Sequence, residues 1–211
     1  MGGFHQSELD PCLFIHPDMV YLVYVDDSIL IGHDRTEIEA MIADLSTELD
    51  LTCEGNLASF LGNQISKSPL NGSMILTQEG LITHVLNTTG LLHSHLATTP
   101  ANKEVLGSDS NGPPAQEHWD YRSVVGMLMY LASNSCPDIA FAVHQCARFS
   151  HCPTASYEVA VKKICQYLKG TLIRGIIYIP TSSFSVDCYC DSDFVGLFGH
   201  ELSNDPICAK S

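Results

Sequence analysis

The sequence predicts an α+β fold, and three observations carry that prediction. Residues 20–33, Val-Tyr-Leu-Val-Tyr-Val-Asp-Asp-Ser-Ile-Leu-Ile-Gly-His, set two apolar, β-prone runs around a polar pair, which is the pattern of a β-hairpin. Residues 35–49 carry Ile38, Met41, Ile42, Leu45 and Leu49 at helical spacing. From residue 120 to about 169 one helical pattern follows another, and strand patterns return at 175–180 and 185–190.

The elements follow in order. Asp10-Pro11 is a turn, and Cys12-Leu13-Phe14-Ile15 a short strand. After the hairpin, Asp34-Arg35-Thr36-Glu37 has the form of a capping box, with Asp34 as N-cap and Glu37 reaching back. Glu37, Glu39 and Asp44 form the solvated face of the helix that follows. A polar break at 52–56 leads to a second hairpin, with strands Ser59–Ile65 and Met74–Leu76 about the turn Pro69-Leu70-Asn71-Gly72. Thr77 is placed to cap a helix over 78–89 that Gly90 ends. Residues 101–117, with Ser108-Asp109-Ser110-Asn111-Gly112-Pro113-Pro114, lack apolar periodicity and read as a linker. Helices are expected at 120–133, at 137–149 with Pro137 at the first position, and at 155–168 ended by Gly170. Val125, Met129 and Leu131 read as core.

Composition narrows the class. A chain of 211 residues with 45% apolar and 16% charged content is globular rather than disordered. No apolar run approaches the roughly 18 residues of a membrane span. The first residues have neither the basic nor the apolar region of a signal peptide, and Gln6 breaks a myristoylation pattern. Nine cysteines without a CxxC pair fit reduced thiols in an intracellular protein better than a disulfide framework or a zinc ribbon. Cys188 and Cys190 are the nearest approach to a ligand pair, and small core residues are the simpler reading. The formal charge of −14 counts against a self-sufficient nucleic-acid binder. Five of the ten bases, however, are Arg148, Lys162, Lys163, Lys169 and Arg174.

Asp26 and Asp27 are the chemically unusual pair. Like charges about 4 Å apart repel by roughly 4 kcal/mol at an effective dielectric of about 20. A divalent cation or a shared proton would relieve this, so the pair reads either as half of a metal site or as a solvated hairpin tip.

Tyr24-Val25-Asp26-Asp27 in an apolar hairpin resembles the YxDD box of reverse transcriptases, and further segments extend the likeness in order. Ser7-Glu8-Leu9-Asp10-Pro11-Cys12-Leu13-Phe14 resembles the segment before that hairpin, and Phe60-Leu61-Gly62 with Ile65 the FLG hairpin after it. Leu76-Thr77-Gln78 is similar to the helix start that comes next. Tyr121-Arg122-Ser123-Val124-Val125-Gly126 resembles a YRSLVG helix, and Cys136-Pro137-Asp138-Ile139 with Phe141-Ala142-Val143 an RPDI-FAV segment. Tyr167-Leu168-Lys169-Gly170-Thr171 matches YLKGT, and Asp191-Ser192-Asp193-Phe194-Val195-Gly196 is similar to DADWAG. Together they resemble the reverse transcriptase region of copia-type LTR retrotransposons. Cys136 and Gln166 stand where that family usually has Arg, and Glu54-Gly55-Asn56 departs from its acidic-Leu-Gly element.

The resemblance implies a partial palm over 1–100 with the start of the thumb, the linker at 101–117, a helical thumb or connection over 118–172, and the first strands of an RNase H-like sheet over 173–211. It implies template-directed nucleotidyl transfer with two Mg²⁺ ions in the complete enzyme, or alternatively Mn²⁺. Asp26 and Asp27 would be two of three palm carboxylates, with Asp26 the more direct ligand. The third belongs to an upstream strand, and neither Asp10 nor Asp18 has its context. Phe60, Leu61 and Gly62 would grip the primer, or simply pack on the palm. Lys162, Lys163 and Lys169 would meet backbone phosphate, or form a solvated face. Asp191 would be the first RNase H metal ligand. The implied partners are an RNA or DNA template-primer, dNTP and the upstream fingers and palm of the same polyprotein, in a cytoplasmic retroelement particle and without a membrane. Two readings compete for the isolated chain: a polymerase segment active only in a longer polyprotein, or a non-catalytic remnant with weak nucleic-acid binding or none. A third, an unrelated acidic metal-binding module, rests on Asp26-Asp27 alone.

Overall fold

The computed structural model describes residues 3–104, 106–109 and 111–181. The fold is α+β, with five α-helices and two antiparallel sheets among the described residues. The strand expected at 185–190, and with it most of the RNase H-like segment and Asp191, lies outside them. The chain divides into two compact units, Met1–Leu61 and Gly62–Ser211.

In the first unit β1 (His5–Gln6), β2 (Leu13–Ile15), β3 (Met19–Tyr24) and β4 (Asp27–Gly32) form an antiparallel sheet in sequence order. Met19 and Tyr21, two apart on β3, are buried, as the two-residue period of a strand requires. α1 (Arg35–Glu48) follows, close to the expected 35–49. Asp34 caps it, its Oδ1 accepting from the Thr36 N–H at 2.7 Å. Glu37 does not complete a capping box; Arg35 instead pairs with Glu39 one turn on, at 2.8 Å. The apolar stripe of α1 is only partly covered, and none of its residues is buried. Gly32 admits the close approach of α1 to the sheet: a Cβ there would lie 2.9 Å from Met19 Cγ and 3.1 Å from Ile38 Cγ1.

The expected strand 59–65 is two strands, β5 (Ser59–Phe60) and β6 (Asn63–Lys67), on either side of a turn. Leu61 and Gly62 both have positive φ, 49° and 74°, the signature of a tight type I′ connection. A two-residue turn inside an apolar run escapes a reading based on alternation alone.

In the second unit β6, β7 (Met74–Thr77) and β8 (Ile176–Tyr178) are antiparallel neighbours, with Ile65 opposite Leu76 and Leu76 opposite Ile176. α2 (Glu79–Thr88) has Gln78, not Thr77, at its N-cap position, and the Gln78 side chain makes no capping bond. Thr77 closes β7 opposite Gln64, and its hydroxyl meets the Gln64 side chain at 3.4 Å. Gly90, at φ 70°, ends the helix as expected. α3 (Tyr121–Asn134) is capped by Asp120, which accepts from the Ser123 N–H at 2.9 Å. Pro137 opens a 3-10 turn, Pro137–Ile139, before α4 (Ala140–Ala147), and α5 (Ala155–Gly170) completes the bundle. The core lies among these helices, around Leu86, Leu128, Leu131, Val143, Ile164 and Leu168. Met129 is not part of it: α3 buries its 121, 124, 125, 128, 131 and 132 positions, and Met129 falls off that stripe.

Residues 107–109 and 111–117 do not behave as a free connector. The Glu158 carboxylate of α5 is buried and accepts from the Gln116 and Glu117 N–H groups at 3.1 and 3.0 Å. Asp109 accepts from Thr154 Oγ1 and Ser156 Oγ, and the Tyr157 hydroxyl accepts from the Asp109 N–H at 2.7 Å.

Candidate functional site

The β3–β4 ladder runs in register from Met19 opposite Gly32 to Tyr24 opposite Asp27. The loop is therefore Val25-Asp26 alone, and Asp27 is already the first residue of β4. Of the two loop residues only Val25 has positive φ, 52°. Positive φ at the first central position is the type II′ pattern, which normally takes glycine. A β-branched residue there holds a strained backbone, at a cost of about 1–2 kcal/mol. Val25 is also 83% exposed, so no burial of its side chain offsets that cost.

Asp26 and Asp27 are both exposed. Exposure moves the relevant dielectric toward that of water, where two charges about 4 Å apart repel by only about 1 kcal/mol. The fold therefore does not force a counter-ion on the pair. Chemically the pair still suits Mg²⁺, which keeps several waters and is usually held by one or two carboxylates together with substrate phosphates. Among the described residues no three His, Cys, Asp or Glu side chains gather as a metal-binding group. Asp10 is engaged in its own turn, accepting from the Cys12 N–H at 2.9 Å, and Asp18 lies 4.0 Å from His16. Neither supplies a third ligand.

Phe60 and Leu61 are half-buried, and Gly62 follows in the same tight turn. A Cβ on Gly62 would meet nothing within 4 Å. Its glycine thus answers to the positive φ, not to crowding by the chain itself.

The three lysines singled out from sequence are half-buried, and each has a partner within the fold. Lys162 pairs with Glu117, Lys163 Nζ donates to Asn102 Oδ1, and Lys169 Nζ donates to the Ser94 carbonyl. They tie α5 to the chain that precedes α3. Tyr167 of the same helix donates to Asp138 Oδ2 at 2.5 Å, joining the two segments that resemble YLKGT and RPDI. That bond, more than burial, raises the Tyr167 hydroxyl above its ordinary pKa. Nothing in the sequence pairs residues 29 positions apart, so the link was not readable there.

The buried cysteines behave as core. Burial pushes the Cys146 thiol up to about 11 and the Cys165 thiol up to about 12, and raises that of Cys136. Thiols so shifted are neither nucleophiles nor ready metal ligands at neutral pH. No helix among the described residues is long and apolar enough to cross a membrane.

Over 198 residues the chain is 33% identical to the retrovirus-related Pol polyprotein from transposon RE1 of Arabidopsis thaliana, an alignment that takes in 92% of the chain and 13% of the polyprotein. It is 31% identical over 198 residues to the corresponding polyprotein from transposon TNT 1-94 of Nicotiana tabacum, covering 89% of the chain and 15% of that polyprotein. It is 32% identical over 190 residues to an uncharacterized mitochondrial protein of Arabidopsis thaliana, covering 90% of the chain and 78% of that protein. No family model matches, and no solved structure does.

Proposed function

Because the chain belongs to the copia-type retrovirus-related Pol polyproteins of retrotransposons, we propose that it carries part of the palm and thumb of an RNA-directed DNA polymerase. It corresponds to about an eighth of the length of the transposon polyproteins it matches, so the activity is that of the longer protein. One observation carries the reading: in a chain so related over nine-tenths of its length, a two-residue turn presents adjacent exposed carboxylates, Asp26 and Asp27.

Asp26 and Asp27 would hold Mg²⁺, with Asp26, in the loop itself, the more direct ligand. Asp26 and Asp27 would hold the ion where it would supply acidification of a primer hydroxyl and charge stabilisation on a departing pyrophosphate. The chain's own contribution is placement. The register from Met19–Gly32 to Tyr24–Asp27 fixes the carboxylates at the end of a paired ribbon rather than on a mobile loop. Phe60, Leu61 and Gly62 form a second tight turn with open space over Gly62, suited to close approach by a primer backbone. The pair alone is an incomplete ligand set, and the upstream palm strand of the polyprotein would supply the third carboxylate.

Two measurements test this. Mn²⁺ titration should show weak binding that Asp26→Asn/Asp27→Asn abolishes. Equal binding by both proteins would return the pair to a solvated turn. Joined to the preceding segment of its polyprotein, the chain should extend a primed RNA template with Mg²⁺, and Asp26→Asn should lower the rate by roughly a thousandfold, the scale of losing a charge-stabilising element. Extension undiminished by Asp26→Asn would end the assignment.

A further inference from the structure

The acids of the chain are concentrated in the first unit. Residues 1–61 contain twelve Asp or Glu against a single Lys or Arg, Arg35, and Arg35 is paired with Glu39 at 2.8 Å. On α1 these acids fall in a pattern. Ile38, Met41, Ile42 and Leu45 form a half-buried apolar stripe, which Leu49 extends at 46% exposure. The helix packs on β4, the edge strand of its sheet, and that contact covers the stripe only in part. At 3.6 residues per turn, Glu37, Asp44 and Glu48 line one flank of the stripe. Arg35, Glu39 and Ser46 line the other, where the ion pair leaves no net charge. Among the described residues no ion pair reaches Glu37, Asp44 or Glu48. Asp44 and Glu48 are four positions apart, a like-charge spacing that destabilises a helix. They also sit toward the C-terminal end of α1, where the helix dipole favours cations, and the last turn carries no base.

We infer that α1 docks a basic amphipathic helix of the longer polyprotein, with apolar side chains against the stripe and Lys or Arg against Glu37, Asp44 and Glu48. Such a neighbour would supply the cover and the opposite charge that α1 lacks, as flanking charges do beside the seam of paired helices. Other occupants fit less well. Nucleic acid and anionic lipid carry the same sign of charge as the flank. A second copy would bring the same acids to a self-complementary contact. The polyproteins that this chain matches are several times its length, so a helix in cis is available. Tethering gives it an effective concentration on the order of millimolar, so modest intrinsic affinity is enough. The inference rests on the polyprotein context and is independent of what Asp26 and Asp27 hold.

The test uses the full chain and a labelled helical peptide of leucine and lysine, matched in length to α1. Anisotropy should show binding, and hydrogen exchange should slow at the amides of residues 38–49. Asp44→Lys/Glu48→Lys removes the like-charge pair and places cations at the favoured end, so it should not unfold the helix. It should weaken binding of the leucine–lysine peptide by roughly tenfold and admit a leucine–glutamate peptide that the wild type rejects. Protection outside residues 38–49, or affinity unchanged by the reversal, would mean indiscriminate apolar contact and overturn the inference. Protection of 38–49 that grows with concentration of the chain alone, together with dimers in sedimentation, would assign the stripe to a second copy and overturn it too. The source of the helix is read in the polyprotein, where the amides of 38–49 should exchange more slowly than in the isolated chain; equal exchange rules out an occupant in cis. Neither metal nor nucleic acid enters these measurements, so their failure is distinct from failure of the polymerase reading.

Discussion

Val25 occupies a backbone conformation that its branched side chain disfavours. Substitution by glycine removes the left-handed penalty of about 1–2 kcal/mol and adds a glycine entropy cost of about 0.5–1 kcal/mol. Since Val25 is exposed, little packing is lost. Val25→Gly should therefore stabilise the first unit by about 0.5–1 kcal/mol, read as a rise in its urea midpoint when the chain is joined to the preceding segment of its polyprotein. A lower midpoint would mean that the loop is not under strain. Such details mark how far single residues were legible. Asp34 was readable as a cap because an Asp before an apolar helical stripe satisfies orphan N–H groups wherever it occurs. Thr77 looked equivalent, but its hydroxyl goes to a neighbouring strand. Asp26 and Asp27 were readable as a chemical oddity; the positive φ of Val25 was not, because valine signals the opposite.

α5 organises its surroundings through groups that look like solvent-facing charge in the sequence. Glu158, Lys162, Lys163, Tyr167 and Lys169 each reach a partner between residues 94 and 138. The stretch 101–117 read as a linker because glycine, proline and serine punctuate it and no apolar period runs through it. Gln116 and Glu117 at its end are held instead by carboxylate oxygens more than 40 positions away, which local pattern cannot reveal. Glu158 supplies the sharpest test. Both its oxygens accept backbone N–H groups from a buried position, so Glu158→Gln would set an amide N–H₂ against a backbone donor. The expected loss is about 1–3 kcal/mol, the cost of leaving a buried polar group unsatisfied. Hydrogen exchange at the Gln116 and Glu117 amides should accelerate together with it. Unchanged exchange there would show that this strap is held by other contacts.

The two units differ in how much apolar surface each encloses. The helices of the second unit share a cluster of twenty buried residues, from Ile82 to Leu168. In the first, only Met19 and Tyr21 are buried hydrophobics among the described residues, and α1 buries none of its own. Ordering a backbone residue costs about 1–2 kcal/mol, while fully burying an aliphatic or aromatic side chain returns about 1.5–3 kcal/mol. A sheet of four strands with two such side chains is therefore marginal, whereas the bundle is not. On the polymerase reading proposed above, the sheet and helix of the first unit would be completed by chain from elsewhere in the polyprotein. The contrast also bears on function, because the carboxylate turn lies in the weaker unit and its geometry depends on that unit's being folded. The expected outcome is that a fragment of residues 62–211 unfolds cooperatively in urea with helical circular dichroism, while residues 1–61 alone give no cooperative transition. Appending the preceding palm segment should restore one to the first unit and, with it, tighten Mn²⁺ binding at Asp26 and Asp27. A cooperative transition from residues 1–61 by themselves would show that the half-covered sheet suffices, and that the metal affinity of the pair is already all the fold can give it.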